Sequence, residues 1–176
     1  GLVPIPIALG LAAGGMVVAG VLPLREVYAA IDWPVIVLLG ALIPVGGALE
    51  STGTTALLVD AITAHTGAWH PLALVALILV ATMTLSDLLN NAATAVIMAP
   101  LAVATAERTA SNPDAFLMAV AVGASCAFLT PVGHQNNALV MGPGGYRFGD
   151  YWRLGLPLEV LVVAVAVPLI GWVWGT

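Results

Sequence analysis

The residues with chemistry to offer are concentrated at Ser86-Asp87-Leu88-Leu89-Asn90-Asn91-Ala92-Ala93-Thr94. A hydroxyl, a carboxylate and two amides stand there between two charge-free apolar runs, Pro71 to Leu85 and Ala95 to Ala106. Burying such groups unpaired costs roughly 2–7 kcal/mol for each amide or hydroxyl. An intramembrane carboxylate adds about 2.5–3.5 kcal/mol on insertion scales. Polar groups held in so apolar a setting point to a bound guest.

A second polar break lies further on. Ala115 to Tyr146 carries no formal charge, yet Thr130-Pro131 and Gly133-His134-Gln135-Asn136-Asn137 interrupt it, and Gly142-Pro143-Gly144-Gly145 ends it. This is the sequence form of a discontinuous helix. Asn90-Asn91-Ala92 and Asn136-Asn137-Ala138 are similar interruptions in two apolar units. Helix N-termini after each break offer N–H groups suited to an anion. Freed carbonyls and the side-chain oxygens of Ser86, Asn90, Asn91 and Asn136 are hard ligands suited to Na⁺. One site taking both ions would let each lower the cost of the other, which is the electrostatic basis of symport.

Other polar residues have plainer readings. Asp87 either caps or pairs locally, or takes part in ion binding. His134 is a proton-handling or substrate-contacting group, or is simply hydrogen-bonded. Glu159 is expected to snorkel from the last span. His65 and His70 flank a turn and read as interfacial. The glycine-rich 142–145 lacks the Gly-Lys-Ser/Thr of a nucleotide loop. No constellation of catalytic spacing is evident, so an enzyme is not expected.

Composition sets the solvent. The chain of 176 residues is 61% hydrophobic and 7% charged, against about 25% charged in soluble domains. Nine acids face four arginines with no lysine, a formal charge of −5, which argues against a nucleic-acid partner. Cys126 is the only cysteine, so an internal disulfide and a multi-cysteine metal site are excluded. The opening at Gly1 shows no charged n-region or cleavage site, and the chain reads as a piece of a longer polypeptide.

The elements that would position the two breaks follow in order. Residues 3–24 form a charge-free stretch long enough to cross a core of roughly 30 Å. A charged connection, Arg25 to Asp32, leads to a second span at 33–49, opened by Trp33-Pro34. Residues 53–66 would make a helix of only about 21 Å, interrupted by Thr54, Thr55, Asp60, Thr63 and His65, and read as an interfacial helix. Residues 71–107 are two short runs joined at Asn90-Asn91. Either they cross the bilayer and turn at its far surface, or they form a re-entrant hairpin, which is allowed where backbone lines a cavity. Their shortness, and the lack of aromatic or arginine anchors at the junction, favour the hairpin. Asn112 is placed to cap a helix with Pro113 at its first position, opening the broken helix of 113–145. The last span, 152–174, is anchored by Tyr151, Trp152, Trp172 and Trp174. Arg25, Arg147 and Arg153 fall on one face and Arg108 on the other, so the first face is expected to be cytoplasmic.

These residues also carry a family likeness. Asn90-Asn91-Ala92-Ala93-Thr94-Ala95-Val96-Ile97-Met98-Ala99-Pro100 resembles the hairpin tip of the divalent anion:sodium symporters, the sodium/sulfate and dicarboxylate transporters of the ion transporter superfamily. Gly123-Ala124-Ser125-Cys126-Ala127-Phe128-Leu129-Thr130-Pro131-Val132-Gly133 resembles that family's discontinuous helix. Gly142 to Phe148, with Asp150 to Pro157, looks most like its sulfate-permease-like branch. The resemblance implies an all-α membrane protein, the C-terminal inverted repeat of a secondary transporter. It implies a Na⁺ site at Ser86, Asn91 and the carbonyls of Leu89 and Gly133. Substrate contacts would fall on Asn90, Ala92, His134 and Gln135, with Asn136 beside them and Asp87 as a possible coupling acid. The implied partners are a small inorganic anion, the N-terminal half of the same permease and the lipid bilayer. A homodimer in the plasma (inner) membrane is expected, spanning it several times.

The departures from the family pattern bear on the substrate. Asn90 stands for a usual Ser, Ala92 for Thr, and His134-Gln135 for Thr-Pro. Two substrate-facing hydroxyls are thereby lost, which favours sulfate or another small oxyanion over a dicarboxylate. The Asn-Asn tip also resembles arsenite and Na⁺/H⁺ antiporters of the superfamily, in which an acid such as Asp87 performs the exchange. An intramembrane enzyme or a non-transporting membrane scaffold is the reading from a different class.

Overall fold

A computed structural model describes residues 4–31, 33–66 and 69–175. Pro6, Thr63, Gln135 and several residues between Pro34 and Glu50 have described backbone only. The described residues are helical and contain no strand. The chain divides into two compact units, Gly1–Val37 and Leu38–Thr176.

The first unit holds α1 (Ile5–Val18), α2 (Leu24–Ala30) and the start of α3 (Trp33–Ser51). Pro4 precedes α1, consistent with proline's tolerance at a helix start. The long apolar run does not continue as one helix. Gly20 takes a φ of 71°, and the N–H of Val21 bonds back to the Met16 carbonyl at 3.0 Å, a glycine-dependent helix ending. The charged connection contains α2; Asp32 lies outside the described residues. Tyr28 and Trp33 stack with ring centroids 6.3 Å apart, and the Trp33 indole donates to the Tyr28 carbonyl.

The second unit continues α3 and adds α4 (Thr54–Thr66), α5 (Pro71–Ser86), α6 (Asn91–Arg108), α7 (Pro113–Ser125), α8 (Gln135–Met141) and α9 (Tyr151–Trp174). Its core is built from α5, α6, α7 and α9. Leu74, Val75, Ile78, Leu79 and Met83 of α5 meet Phe116 and Val120 of α7, Met98 of α6 and Ile170 of α9. Small residues bring the helix axes close, as in helix pairs that lack a hydrophobic driving force. Ala102, Ala106, Ala115 and Ala119 are fully buried. At Gly123 an added Cβ would stand 2.8 Å from the Thr82 Cβ and 2.9 Å from the Leu79 carbonyl oxygen.

Cross-ties fix the helix directions. Asn112 caps α7 by accepting from the Asp114 N–H, and its amide donates to the Trp174 carbonyl at 2.6 Å. Gly171 of α9 packs on Leu72 of α5. The start of α7 and the start of α5 therefore both sit beside the end of α9. At the opposite end, α5 and α7 finish together, and α9 enters past them at Gly155, where the Phe128 carbonyl leaves no room for a side chain. The helices α5 and α7 run parallel, and α9 runs against both.

Each of α5 and α7 stops at a polar interruption. The α5 helix ends at Ser86, and Asp87 to Asn90 turn the chain into α6. The α7 helix ends at Ser125, and Cys126 to His134 connect it to α8. Pro131, with no N–H, and Gly133 help to keep this second segment from rejoining a helix. Among the described residues, one helical stretch, Phe148–Trp174, is long and apolar enough to cross a membrane.

Candidate functional site

Hydroxyls in apolar helices ordinarily bond to a carbonyl one turn back. Thr82 does so at Ile78, Thr84 at Val80, Thr105 at Leu101 and Ser125 at Ala121, at 2.6–2.9 Å. Ser86 does not. Its fully buried hydroxyl reaches out of α5 to the Ala124 carbonyl at 3.0 Å and to Asn91 Oδ1 at 3.1 Å. A hydroxyl carries one proton and can donate it to only one of them at a time. Three oxygens thus converge from the ends of α5 and α7 and the start of α6. Thr94, one turn along α6 from Asn91, is also fully buried, and its Oγ1 has no partner.

The two interruptions are laced together. Thr130 donates its hydroxyl to the Asp87 carbonyl at 2.7 Å and accepts from the N–H groups of Val132 and Gly133, each at 3.2 Å. Gly133 lies so close to the end of α5 that an added Cβ would come within 2.9 Å of the Ser86 carbonyl oxygen and 2.6 Å of the Ala127 Cβ. Asn137 of α8 donates to the carbonyls of Ala127 and Thr130, at 3.3 and 3.1 Å, and so closes the loop on itself. Its own carbonyl receives the Tyr151 hydroxyl at 2.7 Å.

Two carboxyls hold the second break from either side. Asp87 Oδ1 accepts from the Leu129 N–H at 3.0 Å, and Glu159 Oε1 from the Phe128 N–H at 3.1 Å. The two N–H donors belong to consecutive residues, so the carboxyls lie side by side along the break. Asp87 is 4% exposed and its Oδ2 has no partner. Glu159 was expected to snorkel to the surface. Instead it is 9% exposed and turned inward, because Gly155 one turn earlier lets α9 approach the Phe128 backbone.

The sequence-derived residues divide accordingly. Ser86, Asn91 and Gly133 meet at one place, with Asp87 adjoining. Leu89 and Asn90 lie on the exposed side of the turn, and Asn90 uses its Oδ1 to cap the Ala93 N–H at 2.8 Å. Ala92 is half-buried in the first turn of α6. His134 is half-buried and caps α8, its Nδ1 accepting from the Asn136 N–H at 3.3 Å, while the Asn136 side chain is exposed. The side chain of Gln135 lies outside the described residues. Among the described residues no group of three or more His, Cys, Asp or Glu is arranged to hold a metal ion.

Sequence reasoning missed the Ala124 carbonyl, Thr94, Thr130, Asn137 and Glu159. Ala124 had no signal, since its contribution is a main-chain oxygen. Glu159 had one: it is an acid in an apolar run, four residues after a glycine.

The arrangement offers opposite polarities to opposite charges. The parallel helices α5 and α7 turn their carbonyl ends, the negative ends of their dipoles, toward the Ser86 cluster. The long helix α6 begins at the same place, and its first turn presents N–H groups beyond the one capped by Asn90.

The chain matches the sequence profile of a family described as citrate transporter, over residues 1–123 and again over 69–175. It is 43% identical over 172 residues to an uncharacterized transporter, sll0640, of Synechocystis sp., covering 97% of this chain and 28% of that protein. It is 39% identical over 146 residues to the uncharacterized transporter YfbS of Escherichia coli, covering 83% of this chain and 24% of that protein. Similarity extends to sodium/sulfate cotransporter 1 of Chlamydomonas reinhardtii, at 32% identity over 157 residues, 89% of this chain and 18% of that protein. The chain thus spans under a third of the length of each of these relatives.

Proposed function

The chain belongs to the citrate transporter family, and on that premise we propose that it is the C-terminal half of a secondary transporter coupling Na⁺ to uptake of a small divalent oxyanion such as sulfate. Relatives in this group are named as transporters, not enzymes. The observation that carries the reading is the Ser86 cluster. The Ser86 hydroxyl lies 3.1 Å from an amide oxygen and 3.0 Å from a main-chain carbonyl, with one proton to share between the two acceptors. Such a set of neutral hard oxygens at two helix C-termini suits a small monovalent cation. Thr94 adds a buried hydroxyl without a partner. The relatives named sodium/sulfate cotransporters supply the ion and the anion class.

In this reading Ser86, Asn91 and the carbonyl of Ala124 hold Na⁺, joined by the carbonyls of Leu89 and Gly133. The anion lies on the exposed side of the tip, against Asn90, Ala92, His134, Gln135 and Asn136. Helices α5 and α6 form a re-entrant hairpin, α7 and α8 a broken helix, and α9 a full span. Glu159 stands about 12 Å along α9 from its start, which sets the second break well inside a core of roughly 30 Å. The missing N-terminal half supplies a matching hairpin of opposite topology and the other wall of the site.

The test is flux in the full-length parent, reconstituted in vesicles. Sulfate uptake should follow an inward Na⁺ gradient, and Asn91→Ala should lower the apparent affinity for Na⁺ while the protein still inserts. Sulfate uptake that proceeds equally without Na⁺ removes the coupling. Unchanged Na⁺ dependence in Asn91→Ala removes the cation assignment. Ion exchange without anion uptake puts an antiporter in its place.

A further inference from the structure

The glycine-rich turn after α8 builds a cavity that the Ser86 site does not use. Gly145 takes a φ of 65°, and the Tyr146 ring folds back onto Gly144, where a side chain would collide with it. Tyr146 then meets Tyr151 edge-on, with ring centroids 6.1 Å apart. Both rings line a cavity of about 290 Å³, together with residues of α8 and the first two turns of α9. That is close to the roughly 300 Å³ at which small-ligand pockets begin. Its lining changes character along α9. Asp150 and Tyr151 stand at the helix start, and Leu154 and Leu158 follow one and two turns on, while Phe128 and Asn137 line it from the second break and α8. Asp150 is held in place, its Oδ2 accepting the Arg147 N–H at 2.8 Å, and among the described residues it pairs with no arginine. Arg147 and Arg153 lie three residues to either side of it, both exposed. Depth in the bilayer follows from α9, which belongs to the described stretch long and apolar enough to cross it. Tyr151 and Trp152 mark the headgroup level, and Leu158 lies about 10 Å deeper. A cavity running from a carboxylate at the headgroups to leucines among the acyl chains fits an amphiphile better than a water-soluble solute.

We propose that this cavity is a phospholipid site selective for a primary-ammonium headgroup, as in phosphatidylethanolamine. The ammonium meets the Asp150 carboxylate in charge-assisted hydrogen bonds, with the Tyr146 and Tyr151 rings beside it as cation–π partners. Arg147 and Arg153 meet the phosphate, and the first part of an acyl chain lies along Leu154 and Leu158. A choline headgroup has no N–H to give Asp150. An anionic headgroup without an amine brings a second negative charge to it. Only a headgroup carrying both an N–H cation and a phosphate satisfies the acid and the two arginines together. Because Phe128 and Asn137 line the same cavity, the bound lipid packs on the second break and steadies it against α9. The assignment rests on α9 standing in a bilayer, and not on which ion or anion the Ser86 region takes.

The experiment uses the full-length parent, purified in detergent and stripped of lipid. Phosphatidylethanolamine, phosphatidylcholine or phosphatidylglycerol of identical acyl chains is added back. Thermal midpoints are measured, and retained lipid is counted by native mass spectrometry. The ethanolamine lipid should raise the midpoint most and be retained in preference to the other two. Asp150→Asn keeps an oxygen for the Arg147 N–H but loses the charge, so its affinity for the ethanolamine lipid should fall about tenfold or more. Leu154→Trp, which fills the cavity from an exposed position of α9, should abolish stabilisation by that lipid. Equal stabilisation by all three lipids, a preference for phosphatidylglycerol, or no lipid effect because another part of the parent fills the cavity, overturns the proposal. These are wild-type readings and need no variant to fold. An ethanolamine preference undiminished in either variant overturns it as well. None of these readouts requires transport, so a failed flux assay and a failed lipid site are told apart.

Discussion

The Ser86 hydroxyl lies 3.0 Å from the carbonyl oxygen of Ala124, joining the last turn of α5 to the last turn of α7 across 38 residues of sequence. Asn91 Oδ1 completes the group at 3.1 Å. Ser86→Ala removes the central oxygen and leaves the other two without the shared donor. Loss of such a group costs about 1–3 kcal/mol, and each 1.4 kcal/mol is about tenfold in affinity. The half-saturating Na⁺ concentration for uptake by the parent should therefore rise by about tenfold or more. A Ser86→Ala protein with wild-type Na⁺ half-saturation would place the cation elsewhere.

Close helix approach makes a separate prediction about stability. Gly123→Ala would drive a methyl against Thr82 and the Leu79 carbonyl, and overpacking of this kind costs about 1–3 kcal/mol. Gly10→Ala, inside α1 where an added Cβ meets nothing within 4 Å, is the matched control and should not destabilise, gaining up to about 1 kcal/mol from helix propensity. Thermal unfolding of the two variants in the same detergent decides it. Equal midpoints would mean that α5 and α7 are not in contact at Gly123.

At the other end of the bundle, Asn112 makes two bonds at once, one capping α7 and one to the Trp174 carbonyl. Asn112→Ala should cost about 1–3 kcal/mol, the sum of a lost cap and a lost hydrogen bond. Because this end is remote from the Ser86 cluster, the half-saturating Na⁺ concentration should stay within about twofold of wild type. Melting temperature and Na⁺ titration, read side by side, separate this structural role from the ligand role proposed for Ser86.

Much of the site was visible in residue types. Asn90-Asn91 and Gly133 mark breaks because amides, glycine and proline are poor continuations of an apolar helix, and the structure ends α5 and α7 beside them. The cap at Asn112 was legible for the same local reason. Long-range relations were not. That Ser86 meets Ala124 depends on α5 and α7 running parallel, and nothing in either helix alone states its partner. Glu159 was misread because a lone acid in a span is ordinarily expected to reach outward. Its inward turn is set by a glycine one turn earlier and by the backbone that this glycine admits. The end of α1 at Val18 went unforeseen because composition registers apolarity, whereas the turn there is made by the conformation of Gly20.

The parallel course of α5 and α7 also limits how this chain can change in length. Each helix advances about 100° per residue, so one residue inserted or deleted within Pro71–Ser86 would swing the Ser86 oxygen roughly a quarter of a turn away from Ala124. The same edit within Pro113–Ser125 would misplace the Ala124 carbonyl, and with it the register of the Phe128 and Leu129 amides against two acids. The connection at Thr109 to Ser111 carries no such phase relationship. Indels among descendants of this sequence should therefore collect in that connection and be rare in both helices.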